Sequence, residues 1–346
     1  MDTRVCRLYG ERDIHVETQP VDAPEAGYVL VAIGAGGICG SDLHYYQDGG
    51  FGPIRVREPI ILGHEAAGTI IEVGPGVPGL GTGDRVAINP SHPCGACKYC
   101  AEGLFNHCLN MRFLGSAMRM PHENGLFRDR VAVKAEQCFK VADTVSIGEA
   151  ACSEPLSVCV HARSLAGDLS GKKVLVTGSG PIGALCVALA AEGGATEIVA
   201  TDLQDAPLTV AGQMGATRTI NVARDSDSLA AYGAEKGHFD VCFECTAAEP
   251  AIRSAIDTLR PQATLVQVGV AGDVTVPLNY IVSKEIVLKG THRFHPEFGQ
   301  AVELINTGAV NVRPIITQTF DLTDARDAFE IAGDRSAAVK VQLSFA

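Results

Sequence analysis

The hydrophobic positions of this chain change style along its length. From Asp2 to about Glu149 they come as short runs, Tyr28 to Ile33, Gly68 to Val73 and Asp84 to Ile88, set among many Gly and Pro. Short strands joined by turns are the expected structure. After Lys172 the style changes to mainly apolar runs: Val174 to Val176, Ile198 to Ala200, Phe239 to Phe243, Thr264 to Val268 and Ile286 to Leu288. Such runs suit buried parallel strands, and the segments between them carry helical spacing. In Pro250 to Arg260, Ile252, Ile256 and Leu259 share one helical face. Strands alternating with helices predict a doubly wound sheet. Beyond Arg293 the pattern predicts a helix over Glu297 to Asn306 ending at Gly308, and a strand near Ile315 to Phe320. A helix from about Asp324 to Gly333 and a closing strand, Val339 to Leu343, follow. The nucleotide-type domain is therefore expected to be inserted near the end of another.

At 346 residues the chain is too long for one ordinary core and suits two. Hydrophobic residues make up 46% and charged residues 20%, which is globular usage and argues against disorder. The longest apolar stretch, Ala184 to Ala191, is far short of the roughly 20 residues of a membrane span. Met1 to Glu17 is broken by charges and does not read as a signal peptide, so a cytoplasmic enzyme is expected. The net charge of -12, with no basic block, excludes nucleic acid and anionic membrane surfaces as partners. A count of 12 Cys without a secretory signal points to core thiols, metal ligands or nucleophiles rather than disulfides.

Gly178-Ser179-Gly180-Pro181-Ile182-Gly183 follows the strand Lys173 to Val176 and opens the run Ala184 to Ala191. Gly178 permits the tight turn, Gly180 lets the backbone approach a pyrophosphate, and Gly183 allows close helix packing, with Pro181 and Ile182 between them. Asp202 ends the next strand, where an acid would hold the ribose hydroxyls; Val268 and Gly269, after a later strand, are further cofactor candidates. Between Leu203 and Thr217 there is no Lys or Arg, so NAD is expected rather than NADP.

Cys94, Cys97 and Cys100, followed by Cys108, give C-x2-C-x2-C-x7-C. Four thiolates this close suit a closed, structural Zn²⁺ site, although an iron–sulfur cluster would use the same residue type. Separately, Cys39, His44 and the pair His64-Glu65 offer a Cys, a His and a carboxylate, the donors of an open Zn²⁺ site.

Gly37-Ile38-Cys39-Gly40-Ser41-Asp42-Leu43-His44, the Gly63-His64-Glu65 triplet, the cysteine lobe and the late GxGxxG occur in the order of the zinc-dependent medium-chain dehydrogenases. The resemblance covers essentially the whole chain. It implies an α/β protein: a doubly wound Rossmann domain, residues 153–291, inserted in a mainly β, barrel-like catalytic domain made of residues 1–152 and 292–346. It implies two Zn²⁺ per chain, one structural and one catalytic, NAD as cofactor, and a homodimer or homotetramer. Cys39, His64 and Glu65 become neighbours of the catalytic zinc. Cys152-Ser153-Glu154-Pro155-Leu156 is similar to the sorbitol dehydrogenase branch, which makes Glu154 a fourth ligand, direct or through water, with Cys152 as the local rival. Ser41 and His44 match positions that pass the proton to solvent.

More narrowly, Asn89-Pro90-Ser91, Met111 to Met118 and Gly290 to Phe294 resemble members of that branch that act on a sugar acid at its C5 carbinol. The expected substrate is a small sugar acid or polyol. An aldonate needs a guanidinium for its carboxylate; the candidates are Arg293, which matches a substrate-cleft Arg of the sorbitol dehydrogenases, and Arg112, in the sugar-acid-like stretch, with Arg119 a weaker one. Polyol and L-threonine dehydrogenases share most of these motifs, and an NAD-sensing zinc-ribbon binding protein is the alternative from another class.

Overall fold

The computed structural model describes residues 1–270 and 272–345. Six parallel strands form one sheet, in the spatial order Arg218–Asn221, Glu197–Asp202, Lys173–Thr177, Phe239–Glu244, Leu259–Gln267, Val287–Gly290. The order reverses between Lys173–Thr177 and Phe239–Glu244, and the carboxyl ends of those two strands flank the crevice where doubly wound sheets take their ligands. Alternation along the central strand explains why it is apolar throughout. Val174 and Val176 pack with Ala184 and Leu185 of the helix Pro181–Glu192, and Leu175 packs on the other face with Ile252 and Ile256 of the helix Glu249–Thr258.

The remainder is mainly β. Tyr28–Gly37 lies at the heart of a seven-stranded sheet, antiparallel to Glu65–Val73, Arg130–Lys134 and Lys340–Ser344. Gln342 faces Gly37 across the last pairing, so the end of the chain returns to its first segment. Val29, Val31, Ile33, Ile70, Val86, Val341 and Leu343 form the core of this half. No helix among the described residues is long and apolar enough to cross a membrane.

Four elements stand outside the sequence expectations. Val287–Gly290, from the run Ile286 to Leu288 read as a buried strand, is the edge of its sheet and is exposed along its length. Gly40–Asp48 is a helix within the region read as short strands. Ser153–Ala166 is a fourteen-residue helix buried across several faces, so it shows no helical stripe. The strand Arg218–Asn221 buries only Ile220, and three polar residues around one apolar residue give no strand signal.

Candidate functional site: two thiol-containing metal clusters and a dinucleotide crevice

Cys39 is the N-cap of the helix Gly40–Asp48, while His64 and Glu65 lie where the strand Glu65–Val73 begins. One donor atom from each of Cys39, His64 and Glu65 lies within 4.8 Å of the others, and both His64 and Glu65 are buried. Asp42 ties this arrangement together. It is fully buried, and its carboxylate accepts from the Cys39 amide at 3.1 Å and the Gly63 amide at 3.2 Å. His64 Nδ1 stands 3.5 Å from the same carboxylate, which leaves Nε2 as the nitrogen free to ligate. Burial alone would lower the His64 pKa, yet the charges of Asp42 and Cys39 outweigh it and hold the imidazole well above its ordinary value. The negative potential that does this would equally stabilise a divalent cation, so the donor set fits a zinc ion.

Glu65 has a partner of its own. Lys340 Nζ reaches both carboxylate oxygens, at 2.7 and 2.8 Å, and donates to the Ile38 carbonyl at 3.1 Å. Both side chains are almost fully buried. Burial pulls the Lys340 pKa down, but Glu65 and Cys39 more than offset it and keep the ammonium charged. Glu154 is the free carboxylate. It sits in the first turn of the helix Ser153–Ala166, buried, with no hydrogen bond or ion pair among the described residues. Burial pushes its pKa up to about 7, with His64 pulling it down and Glu65 pushing it further up. Cys152, the local rival, is buried and donates to the Gly148 carbonyl at 3.5 Å; burial raises its thiol.

The second cluster is the cysteine lobe, in which one sulfur each from Cys94, Cys97, Cys100 and Cys108 lies within 4.8 Å of the rest. The amides of Cys94 and Asn110 donate to the Cys108 sulfur at 3.2 and 3.3 Å. Amide bonds, that from Ala96 foremost, lower the Cys94 thiol to about 6, so it is ionised at neutral pH. Among the described residues, Met111 and Phe113 join Cys100 and Cys108 in the lobe's small buried core, with Cys97 and Phe105 packed against it, which is too little to order the loop without a cross-link.

In the crevice, Gly178 has φ +80°, and a Cβ on Gly183 would meet the Gly178 carbonyl oxygen at 1.8 Å, so helix and turn can approach only as glycines. Nothing lies within 4 Å of a Cβ position on Gly180, on the side left open for a ligand. Gly180 caps the helix Pro181–Glu192 with no side-chain cap, and proline stands in the first turn, the kind of helix start that binds phosphate. Asp202 is held by three amides, Ser179 at 2.8 Å, Leu203 at 2.7 Å and Gln204 at 3.0 Å. Val268 and Gly269 follow the strand Leu259–Gln267, and both amides donate to the Glu244 carbonyl at 2.8 Å.

Residues 25–143 match the family model of the alcohol dehydrogenase GroES-like domain, and residues 181–307 that of the zinc-binding dehydrogenase. The chain is 40% identical over 344 residues to L-idonate 5-dehydrogenase (NAD(P)(+)) of Escherichia coli K12, covering 99% of both chains. It belongs to the zinc-dependent medium-chain dehydrogenases. The crystal structure of the Escherichia coli L-idonate 5-dehydrogenase superposes with a TM-score of 0.95, covering 100% of this chain and 99% of that one. Sorbitol dehydrogenase 1 of Saccharomyces cerevisiae is 39% identical over 328 residues, 92% of this chain and 91% of its own.

Within this medium-chain dehydrogenase the two candidate arginines part company. Arg112 and Phe113 are consecutive on one strand, so their side chains leave on opposite faces. Phe113 turns inward, its ring centroid 5.5 Å from that of His64. Arg112 turns outward, 64% exposed, and pairs with Glu123 at 2.9 Å. Arg293 stacks its guanidinium over Phe113 at 4.6 Å, near Glu154 and Tyr45; burial lowers its pKa, partly offset by Tyr45 and Glu154, and it has no ion pair among the described residues. Ser41 lies half-buried in the first turn of its helix. His44 is half-exposed at the next turn, stacked on Phe51 with Nδ1 3.0 Å from Asp48.

Asp42, Asp48 and Lys340 escaped the sequence reading. Arg224 did as well. It lies past the next strand, beyond the Leu203 to Thr217 segment, yet pairs with Asp205, 2.8 Å between Nη1 and Oδ2. Asn221 also donates to Asp205, at 2.8 Å.

Proposed function

We propose that this dehydrogenase transfers a hydride from the C5 carbinol of L-idonate to NAD⁺, releasing a proton and giving 5-keto-D-gluconate, reversibly. The observation that carries the choice of a sugar acid is Arg293: a guanidinium beside the metal cluster, stacked on Phe113 and lacking a carboxylate partner of its own. An aldonate carboxylate completes it as a bidentate pair. The Escherichia coli relative of that name supports the same substrate.

Cys39, His64 and Glu154 would hold a catalytic zinc with Glu65 beside it, and Cys94, Cys97, Cys100 and Cys108 a structural one. The catalytic ion, when bound, lowers the pKa of the alcohol so that hydride can leave. Lys340 neutralises Glu65, so the carboxylate left free to answer the cation is Glu154. Ser41 receives the hydroxyl proton and passes it towards His44, whose Nδ1 is engaged by Asp48 while its outer edge meets water. Asp202, with three amides holding its carboxylate, receives the adenosine ribose, and Arg224 is engaged by Asp205 rather than free for a 2′-phosphate; NAD is preferred.

A second copy of the chain is the proposed partner. Val287–Gly290 is an exposed edge strand, with Val287 and Leu288 about half exposed beside Leu278, Tyr280 and Val282 of the neighbouring helix. Pairing two such edges buries the apolar side chains and satisfies the free backbone groups. Twelve cysteines, none in a disulfide, suit a cytoplasmic setting.

Initial rates with L-idonate, sorbitol, xylitol and L-threonine, each with NAD⁺ and NADP⁺, test the assignment. L-Idonate with NAD⁺ is expected to give the highest kcat/KM. A higher value for sorbitol or xylitol would favour the polyol reading, which sorbitol dehydrogenases up to 39% identical also support.

A further inference from the structure

Arg293 has φ +53°, a left-handed conformation that a side chain this large adopts only when its surroundings impose it. The cysteine lobe packs against this segment. Phe105, Asn106 and His107 form a single 3-10 turn just before Cys108, and all three touch the segment that carries Arg293. Asn106 Nδ2 donates to the His292 carbonyl at 2.9 Å, fixing the peptide that leads into Arg293. His107 stacks on His292, with ring centroids 5.8 Å apart and planes at 29°. Phe105 packs against His295 at 5.3 Å. Phe113, whose strand directly follows the lobe, supplies the face on which the guanidinium rests.

We infer that Asn106 is a positioning residue for substrate: through the His292 carbonyl it holds the Arg293 backbone in the conformation that presents the guanidinium to a substrate carboxylate. The cysteine lobe thereby sets affinity for acidic substrates as well as ordering its own loop. This rests on the carboxylate-binding role of Arg293 given above. A shift of the 292–293 peptide displaces the guanidinium laterally while leaving Cys39, His64 and the dinucleotide crevice untouched, so binding of the carboxylate is affected and hydride transfer is not.

The test uses the full-length zinc-loaded enzyme and four variants: Asn106→Ala, Asn106→Asp, Arg293→Ala and the double variant Asn106→Ala with Arg293→Ala. Steady-state kinetics with L-idonate and with sorbitol, and zinc content, are measured for each. Asn106→Ala is expected to raise the KM for L-idonate about fivefold, the worth of one hydrogen bond, with kcat within about twofold. The KM for sorbitol and the zinc content stay unchanged. Asn106→Asp, isosteric but without the N–H donor, gives the same rise. Arg293→Ala gives a larger rise for L-idonate alone, and the double variant is no worse than Arg293→Ala, because the clamp acts only through that side chain. Equal effects of Asn106→Ala on both substrates, wild-type behaviour of Asn106→Asp, or full additivity in the double variant would each overturn the clamp while leaving the role of Arg293 intact. Failure of Arg293→Ala to separate the two substrates would overturn that role and the clamp with it.

Discussion

The pairing of Lys340 with Glu65 makes a quantitative prediction. The two charges meet at 2.7 Å with 3% and 2% of their side chains exposed. At an effective dielectric of about 20 their attraction is about 6 kcal/mol, against a desolvation penalty of several kcal/mol for each ion. The pair therefore comes close to balance as a whole, but neither half can be removed alone. Lys340→Met takes away the cation, leaves the Glu65 carboxylate buried, and gives up the bond to the Ile38 carbonyl. The expected loss of unfolding free energy is about 3 to 5 kcal/mol. Glu65→Gln strands the ammonium instead and costs a similar amount. Combining Lys340→Met with Glu65→Gln removes both charges, so the double variant should be more stable than the two single losses added together, by about 2 kcal/mol. Equilibrium urea unfolding of the zinc-loaded enzyme, followed by far-UV circular dichroism with slopes compared across variants, measures all three. Single variants within about 1 kcal/mol of the parent, or strict additivity in the double variant, would refute the assignment of Lys340 as the obligatory counter-charge of Glu65.

Other consequences follow from single positions. Gly183→Ala forces a Cβ into the Gly178 carbonyl and should cost about 3 kcal/mol by thermal unfolding while weakening NADH binding in a fluorescence titration. Asp205→Asn releases Arg224 from an exposed pair and should raise the ratio of NADP to NAD kcat/KM about threefold; an unchanged ratio would remove Arg224 from cofactor choice. Val287→Lys places a charge on the open edge strand and is expected to give a monomer by light scattering, where an unaltered mass would exclude that edge as the subunit contact. Cys108→Ser removes the sulfur that two amides support, and metal analysis should fall from two zinc ions per chain to one.

What the sequence could disclose depended on whether a feature is assembled from neighbouring residues or from distant ones. Central strands of the parallel sheet were legible because burial on both faces forces a continuous apolar run. Val174, Leu175 and Val176 each face a different layer from the next, and all are fully buried. Cys94 to Cys108 were legible because the whole ligand set lies within one loop. Lys340 was not. It reaches Glu65 across 275 residues, and on the strand Lys340–Ser344 it shares a face with Gln342, so alternation puts both on what looks like a solvent face. Both are in fact buried, because that face of the last strand closes over the metal cluster. Lysine is so seldom buried that no composition rule would have retrieved it. Asp42 lies between these extremes. A carboxylate three residues after a helix N-cap is a recognisable capping position, and recognising the helix Gly40–Asp48 would have brought it forward. The two charged residues thus escaped for different reasons: one needed correct local structure, which better helix reading supplies, and the other needed the tertiary contact itself. Arg293 needed both. Its type fits an aldonate from sequence alone, whereas its left-handed backbone and its seat on Phe113 exist only once the lobe and the 292–295 segment have come together.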